Sequence, residues 1–469
     1  MLFTSPAFLF LFLPLSLIFY LLFGKKRRRL CLLIICVIYH FLQNLMHPLN
    51  MLFLPGLIVY TYFIGKLLTR KKSRLLCVLL CLLPCLFLAA LRVPAYHGVS
   101  GFVYPTGFTV ATLSAVSCLI TFFRGEERAS GDLLSLTAYL AFFPIMIVGP
   151  LIRYPDFLRL TSEENIEFDL KNVASGARLF MTGFIKRIAV GAVLFENFHL
   201  FITLSENVPN IIFGLFLMVL IYFAVFFIIS GYNDMAVGLC RLYGLTLYEK
   251  SFGPFHAYTP DSYSFQLFGS LKPWIDDYLV KPLTASGRHS RNYELLLGSC
   301  LQATLILLLV RSTPRSLLLL PLLFVLNYLF RRFSLEDKLR QSSGLRFVFS
   351  LIAIPLFALI WMYLILDNPS EIFAYIGGIT HDNTEYRTNL VLSTFSGLKY
   401  LFVLLVAALT VWWRQTEGQM MVIRSPQKKD AVLFSVSTGF LLLFFLFTVV
   451  FFLPQYSVYD TRPFLYLFE

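Results

Sequence analysis

Apolar runs broken by short polar or basic punctuation cover almost the whole chain. They fall at about 2–23, 30–46, 50–68, 74–92, 107–123, 134–152, 173–200, 208–247, 293–311, 315–330, 345–366, 397–414 and 431–453. Most approach the ~20 residues that an α-helix needs to cross a bilayer. The pattern predicts an all-α polytopic membrane bundle of about 11–13 crossings, in one domain spanning 1–469. The run at 208–247 is too long for one ordinary span. Gly231, Gly244 and the polar Asn233–Asp234 predict a break or two helices there. Pro314 predicts the end of a helix, since proline has no N–H to give to the ladder. Thr161–Lys171 is acidic and reads as a solvated surface helix. Ser251–Arg291 mixes polar and aromatic residues and suits interfacial or re-entrant helices, which are tolerated where protein covers the backbone. Gln415–Asp430 reads as a plain connection.

Composition agrees with the pattern. Of 469 residues, 58% are hydrophobic and only 14% charged, and the mean hydropathy is +0.75. Those values exclude a soluble domain and a disordered chain. The net charge of +13 fits basic cytoplasmic loops better than nucleic acid, because positive residues stay on the side of synthesis. Lys25–Arg29 follows the first apolar run and Arg70–Arg74 the third, so both loops read as cytoplasmic and the N-terminus as outside. The first run precedes its basic cluster, the reverse of a cleavable signal, and reads as a retained anchor. The chain is thus expected in the cell membrane, multi-pass, against membrane lipid.

Candidate chemistry is sparse. The eight Cys lie in apolar stretches, and Cys77, Cys81 and Cys85 share one helix face without polar neighbours; they read as packing residues. No His spacing suits a metal, and no cofactor is implied. Arg153, just after Gly149–Pro150, reads either as an interfacial arginine or as a cationic contact for a phosphate-bearing donor. Lys186–Arg187 reads as a helix end at the cytoplasmic face. In Ser230-Gly231-Tyr232-Asn233-Asp234, Asp234 lies at membrane depth. Such an acid is either functional or a structural partner of a cation or helix cap. Trp274, Asp276, Asp277, Tyr278 and Lys281 suit a loop or interfacial helix; the adjacent carboxylates lie on different faces.

These runs together resemble the membrane-bound O-acyltransferase family, in the branch of alginate O-acetylation and teichoic-acid D-alanylation. The resemblance rests on Met1–Pro6, Pro105–Thr109, Phe142–Tyr154, Gly183–Arg187, Ser230–Ala236, Asp277–Leu279 with Pro282–Leu283, and Phe464–Phe468. It implies a bundle around a tunnel, a thioester donor from the cytoplasm and a hydroxyl acceptor from the other face. It further implies a histidine that accepts the hydroxyl proton, since an alcohol is a poor nucleophile until that proton is taken.

The chain departs from that pattern. One family histidine position falls on Phe268 and the other near Thr304 or Arg311, and 290–380 contains no His. Ile228 and Thr121 stand where acids are usual. Phenylalanine cannot accept a proton, and arginine stays protonated. Three readings follow. The first is a catalytically divergent or inactive member, an accessory that binds an acyl donor, an acyl carrier or a cell-envelope partner protein. The second is an active O-acyltransferase with a relocated base, with Asp234, Asp277 and His289 as candidates. The third is an unrelated transporter coupled through Asp234. Arg153, Ser230, Tyr232, Asn233, Asp234, Trp274 and Tyr278 are the expected substrate or tunnel residues.

Overall fold

The computed structural model describes residues 3–23, 28–96, 104–105, 107–126, 133–146, 152–162, 170–205, 211–245, 259–260, 263, 271–281, 291–310, 318–333, 335, 339, 341–366, 402–410 and 428–456. Among the described residues the regular structure is helical throughout. Five helices there are long and apolar enough to span a membrane: Pro48–Arg70, Arg74–Leu91, Gly214–Leu242, Gly344–Ile365 and Ser435–Phe452. This is an all-α polytopic membrane bundle. Phe268, the region of Arg311, His289 and Gly149–Pro150 lie outside the described residues, as do most of Thr161–Lys171 and of Gln415–Asp430.

The N-terminal half is built from α1 (Leu13–Leu22), α2 (Arg28–Gln43), α3 (Phe53–Arg70), α4 (Arg74–Tyr96), α5 (Phe108–Arg124), α6 (Leu133–Leu140) and the short α7 (Tyr154–Leu160). Helices α3, α4 and α5 run up, down and up. Phe53, Phe87 and Phe108 meet at one end, and Leu68, Cys77 and Leu119 at the other. Arg124 therefore lies at the same end as the basic turn Arg70–Arg74. Helix α5 stops there because Gly125 takes φ +76°, and its N–H and that of Glu126 reach back to Phe122 and Thr121. That left-handed step costs an L side chain energy and glycine almost none.

The centre is an antiparallel pair. Helix α8 (Leu170–Ile185) continues through a π-helical stretch, Lys186–Ala192, into α9 (Val193–Ser205). It packs along α10 (Ile211–Leu242). The long run is thus one continuous helix, correcting the expected break at Gly231. Gly231 serves contact rather than a turn. A Cβ at Gly183 would stand 2.5 Å from the Gly231 carbonyl, and one at Gly231 would stand 2.7 Å from the Gly183 carbonyl. Two turns away, Gly176 and Gly238 repeat the arrangement at 2.8 and 2.7 Å. Small residues at such spacing let backbones approach where lipid offers no hydrophobic drive. Helix α10 ends at Leu242, and Gly244 just beyond it takes φ +79°.

Other elements are pinned to this pair. Tyr20 donates to the Tyr243 carbonyl at 2.7 Å, and Ser16 shares a 2.7 Å hydrogen bond with the Tyr243 hydroxyl. This sets the end of α1 that leads to Lys25–Arg29 beside the end of α10. Downstream come α11 (Leu271–Ile275) with a π-helical continuation Asp276–Val280, α12 (Arg291–Val310), α13 (Leu319–Arg332) and α14 (Ser343–Ile365). Helical residues at 402–410 and the helix Lys428–Phe447 follow. Arg178 donates to Ser437 at 3.1 Å and to Thr438, fixing that last helix to α8.

Gly183→Ala should lower the thermal midpoint of the detergent-purified protein, by the ~1–3 kcal/mol typical of overpacking. Gly56→Ala, with nothing within 4 Å of its Cβ position, should be neutral or stabilising. Equal midpoints for the two variants would refute the close-contact role.

Candidate functional site

Two motif pairs, remote in sequence, meet in space. The first lies inside α8–α10. Lys186 donates to Asp234 Oδ2 at 2.6 Å, with side chains only 3% and 4% exposed. The Arg187 guanidinium sits over the Tyr232 ring, 5.3 Å from its centroid. Lys186–Arg187 therefore lies inside a continuous buried helix, correcting the helix end expected there. The structure resolves how two cations can occupy that depth: Asp234 supplies a counter-charge and Tyr232 a negative ring face. Of the two readings left open for Asp234, it takes the geometry of a partner for a cation. Towards the helix ends, Arg241 donates to Ser175 at 2.7 Å. Ser230 and Asn233 are buried on the same turns, and the Ser230 hydroxyl meets no partner among the described residues.

The second meeting is at the membrane rim. Arg153 forms an ion pair with Asp277 Oδ2, and Lys281 takes Oδ1. Arg124, at the end of α5, donates to the Asp277 carbonyl and lies 5.5 Å from the centre of the Tyr278 ring. Asp277 is thus held by three cations from three parts of the chain. Arg153 is 40% exposed and Asp277 19%, so this cluster faces out. It shares its end of the bundle with Arg70–Arg74, the side assigned to the cytoplasm. The Tyr278 ring lies 5.6 Å from that of Trp274, tilted against it. Burial pushes its phenol up, which the Thr121 hydroxyl and the nearby Arg153 only partly offset, so the hydroxyl stays neutral at pH 7. Trp274 is buried and its indole N–H meets no partner among the described residues.

The sequence-expected residues therefore divide in two. Ser230, Tyr232, Asn233 and Asp234 belong to the inner group, and Arg153, Trp274, Asp277 and Tyr278 to the rim group. Sequence reasoning missed the pairing of Lys186 with Asp234, of Arg153 with Asp277, and the role of Arg124. The one available signal was that each of these motifs carries an unexplained charge of opposite sign to another. Among the described residues no cluster of His, Cys, Asp and Glu could hold a metal.

Lys186→Met should destabilise strongly, by about 3–5 kcal/mol, because it removes the cation that faces a buried carboxylate. Adding Asp234→Leu should restore most of the loss. Thermal unfolding of the two variants and the wild type checks this; a double variant weaker than the single one would contradict the pairing.

No family model matches the chain. It is 30% identical to a probable alginate O-acetylase of Pseudomonas aeruginosa over 302 residues, which is 60% of this chain and 56% of the relative. A protein of the same description in Pseudomonas putida is 28% identical over 319 residues, 63% of each chain. A peptidoglycan O-acetyltransferase of Helicobacter pylori is 23% identical over 155 residues, 32% of this chain and 28% of the relative. The chain thus spans less than two thirds of the length of these relatives. Over that matched part, the comparisons bear out the resemblance of this chain to the O-acetyltransferase branch of the membrane-bound O-acyltransferases.

Proposed function

We propose that the protein serves O-acylation of an extracellular polysaccharide or cell-envelope polymer, as a multi-pass cell-membrane protein. In this reading it is a catalytically divergent member that binds the acyl donor, or the acyl carrier or envelope partner that brings it. The observation that carries the reading is the rim cluster. Arg153 and Lys281 pair with the Asp277 carboxylate, and Arg124 binds the Asp277 backbone carbonyl beside them. With Glu126 pairing to Arg124 at 3.4 Å, three cations against two carboxylates leave one positive charge on the side from which a thioester donor would come. Phosphate is the usual head of such donors, and arginine forks match it well.

The divergent reading draws on residue types. Phe268 and the region of Thr304 and Arg311 offer no imidazole, and the two candidate carboxylates are each engaged by cations: Asp234 by Lys186, Asp277 by Arg153 and Lys281. The second reading, an active transferase with a relocated base at Asp234, Asp277 or His289, is favoured by the O-acetylase names of the relatives. Under it, the hydroxyl proton would pass to one of those groups as the acyl carbon is attacked.

Labelled acetyl-CoA and acetylated acyl carrier, offered to the purified protein in nanodiscs with native envelope extract, separate the readings. Saturable donor binding without labelled product is expected. Product that disappears in Asp234→Ala, Asp277→Ala or His289→Ala would replace the divergent reading with the relocated base. Neither binding nor product would remove both. Arg153→Gln should weaken donor binding about tenfold, the equivalent of ~1.4 kcal/mol; unchanged binding would take the rim cluster out of donor recognition.

A further inference from the structure

The positive charge of the chain is concentrated in one part of its sequence. Residues 1–125 hold 12 Lys and Arg and no Asp or Glu, while the remainder holds 27 of the first kind and 26 of the second. Four of the 12, Arg70, Lys71, Lys72 and Arg74, meet in the turn between α3 and α4, and all four are exposed. Hydrogen bonds define the turn. The Lys71 N–H donates to the Leu67 carbonyl and that of Ser73 to the Lys71 carbonyl, each at 2.8 Å. The Ser73 carbonyl accepts from Cys77 at 3.1 Å as α4 begins. Behind the turn, Leu68 and Cys77 are buried with Leu119 of α5. The four cations are therefore held together at one corner of the bundle.

None of the four makes an ion pair among the described residues, whereas other cations of this end do. Arg124 pairs with Glu126, Arg159 with Asp156, and Arg153 and Lys281 with Asp277. Like charges so close repel one another, and the first turn of a helix favours an acid over a cation. Orienting a loop during insertion takes charge but no folded arrangement. Topology thus accounts for the charges and leaves their repulsion in the finished protein unanswered. The chain supplies no acid here, so the counter-charge has to come from outside it.

The surroundings say which anion fits. Leu75, Leu79, Leu82 and Leu86 recur at i, i+4, i+7 and i+11 along α4, and all are exposed, Leu75 by 71% and Leu86 by 67%. This apolar stripe starts beside Arg74 and runs from the turn into the hydrocarbon. An acidic protein approaching from water could use the turn but not the stripe. A phospholipid uses both, with its phosphate on the cations and an acyl chain along the leucines.

We propose that the Arg70–Arg74 turn is a binding site for an anionic phospholipid of the leaflet at that end. The site stands apart from the O-acylation reading and does not depend on it.

The test counts lipid bound to the detergent-purified full chain by native mass spectrometry, with phosphatidylglycerol and phosphatidylcholine offered separately. Wild-type protein should bind phosphatidylglycerol about tenfold more tightly, with a preference that shrinks as salt is raised. Lys71→Gln combined with Lys72→Gln should weaken the tightest phosphatidylglycerol roughly 25-fold, and Lys71→Gln alone about fivefold. Lys25–Arg29 stays intact in both variants, so the orientation of the first helices is kept. Arg159→Gln removes an exposed but paired cation and should leave binding within about twofold of wild type. Equal binding of the two lipids by the wild type overturns the proposal. So does phosphatidylglycerol binding within about twofold of wild type in the double variant. An acidic acyl carrier that loses binding in the double variant, while the lipid does not, would assign the turn to a protein instead.

Discussion

The contact between α8 and α10 at Gly183 and Gly231 sets the terms for the rest of the bundle. Within a membrane, apolar side chains gain nothing by leaving lipid for protein, so association depends on close packing and on polar contacts made at short range. Glycines at two-turn spacing on both helices bring the backbones together. Across that close contact a lysine of one helix meets an aspartate of the other at 2.6 Å, both buried. Further polar links involve the same pair: Arg178 to the final long helix, Arg241 within the pair, and Tyr243 to the first helix. A change in the glycine contact would be felt at each of them.

Charge is arranged on two levels. Inside, a single buried carboxylate answers a lysine, and an aromatic face answers the neighbouring arginine. The gain there is specificity of register more than stability, since desolvation offsets much of the attraction. At the rim the balance is reversed: Arg153 and Lys281 share one partly exposed carboxylate, Asp277, while Arg124 pairs with Glu126. Water is near, so desolvation costs less and the positive excess stays available to an outside anion. The same residue types thus do different work according to depth.

Much of the architecture was legible in the sequence. Apolar run length gave the helices and their class, and basic loops assigned one side to Lys25–Arg29 and Arg70–Arg74; that Arg124 lies at the end of Arg70–Arg74 came from the packing of α3, α4 and α5. Glycine was the residue most open to misreading. Gly125 and Gly244 end helices through positive φ, whereas Gly231 lies mid-helix and is needed for approach. One residue type answers two constraints, and the sequence around it does not say which. Lys186 was misread for a related reason: a charge in an apolar run signals a boundary unless its partner is known, and that partner is 48 residues away. The site motifs were legible as separate runs. Their pairing was not, because pairing is a property of the packed helices.

The separation of Lys186 from Asp234 has a consequence for how the chain enters the membrane. Helix α8–α9 is synthesised first, and it carries Lys186 and Arg187 near its middle. Each is expensive in hydrocarbon, at roughly 2.5–3.5 kcal/mol on insertion scales. The compensating carboxylate arrives only after most of α10 has been made. The earlier helix is thus poorly suited to partition into lipid by itself. The two segments are best released from the insertion machinery together, as a hairpin whose charges have already met.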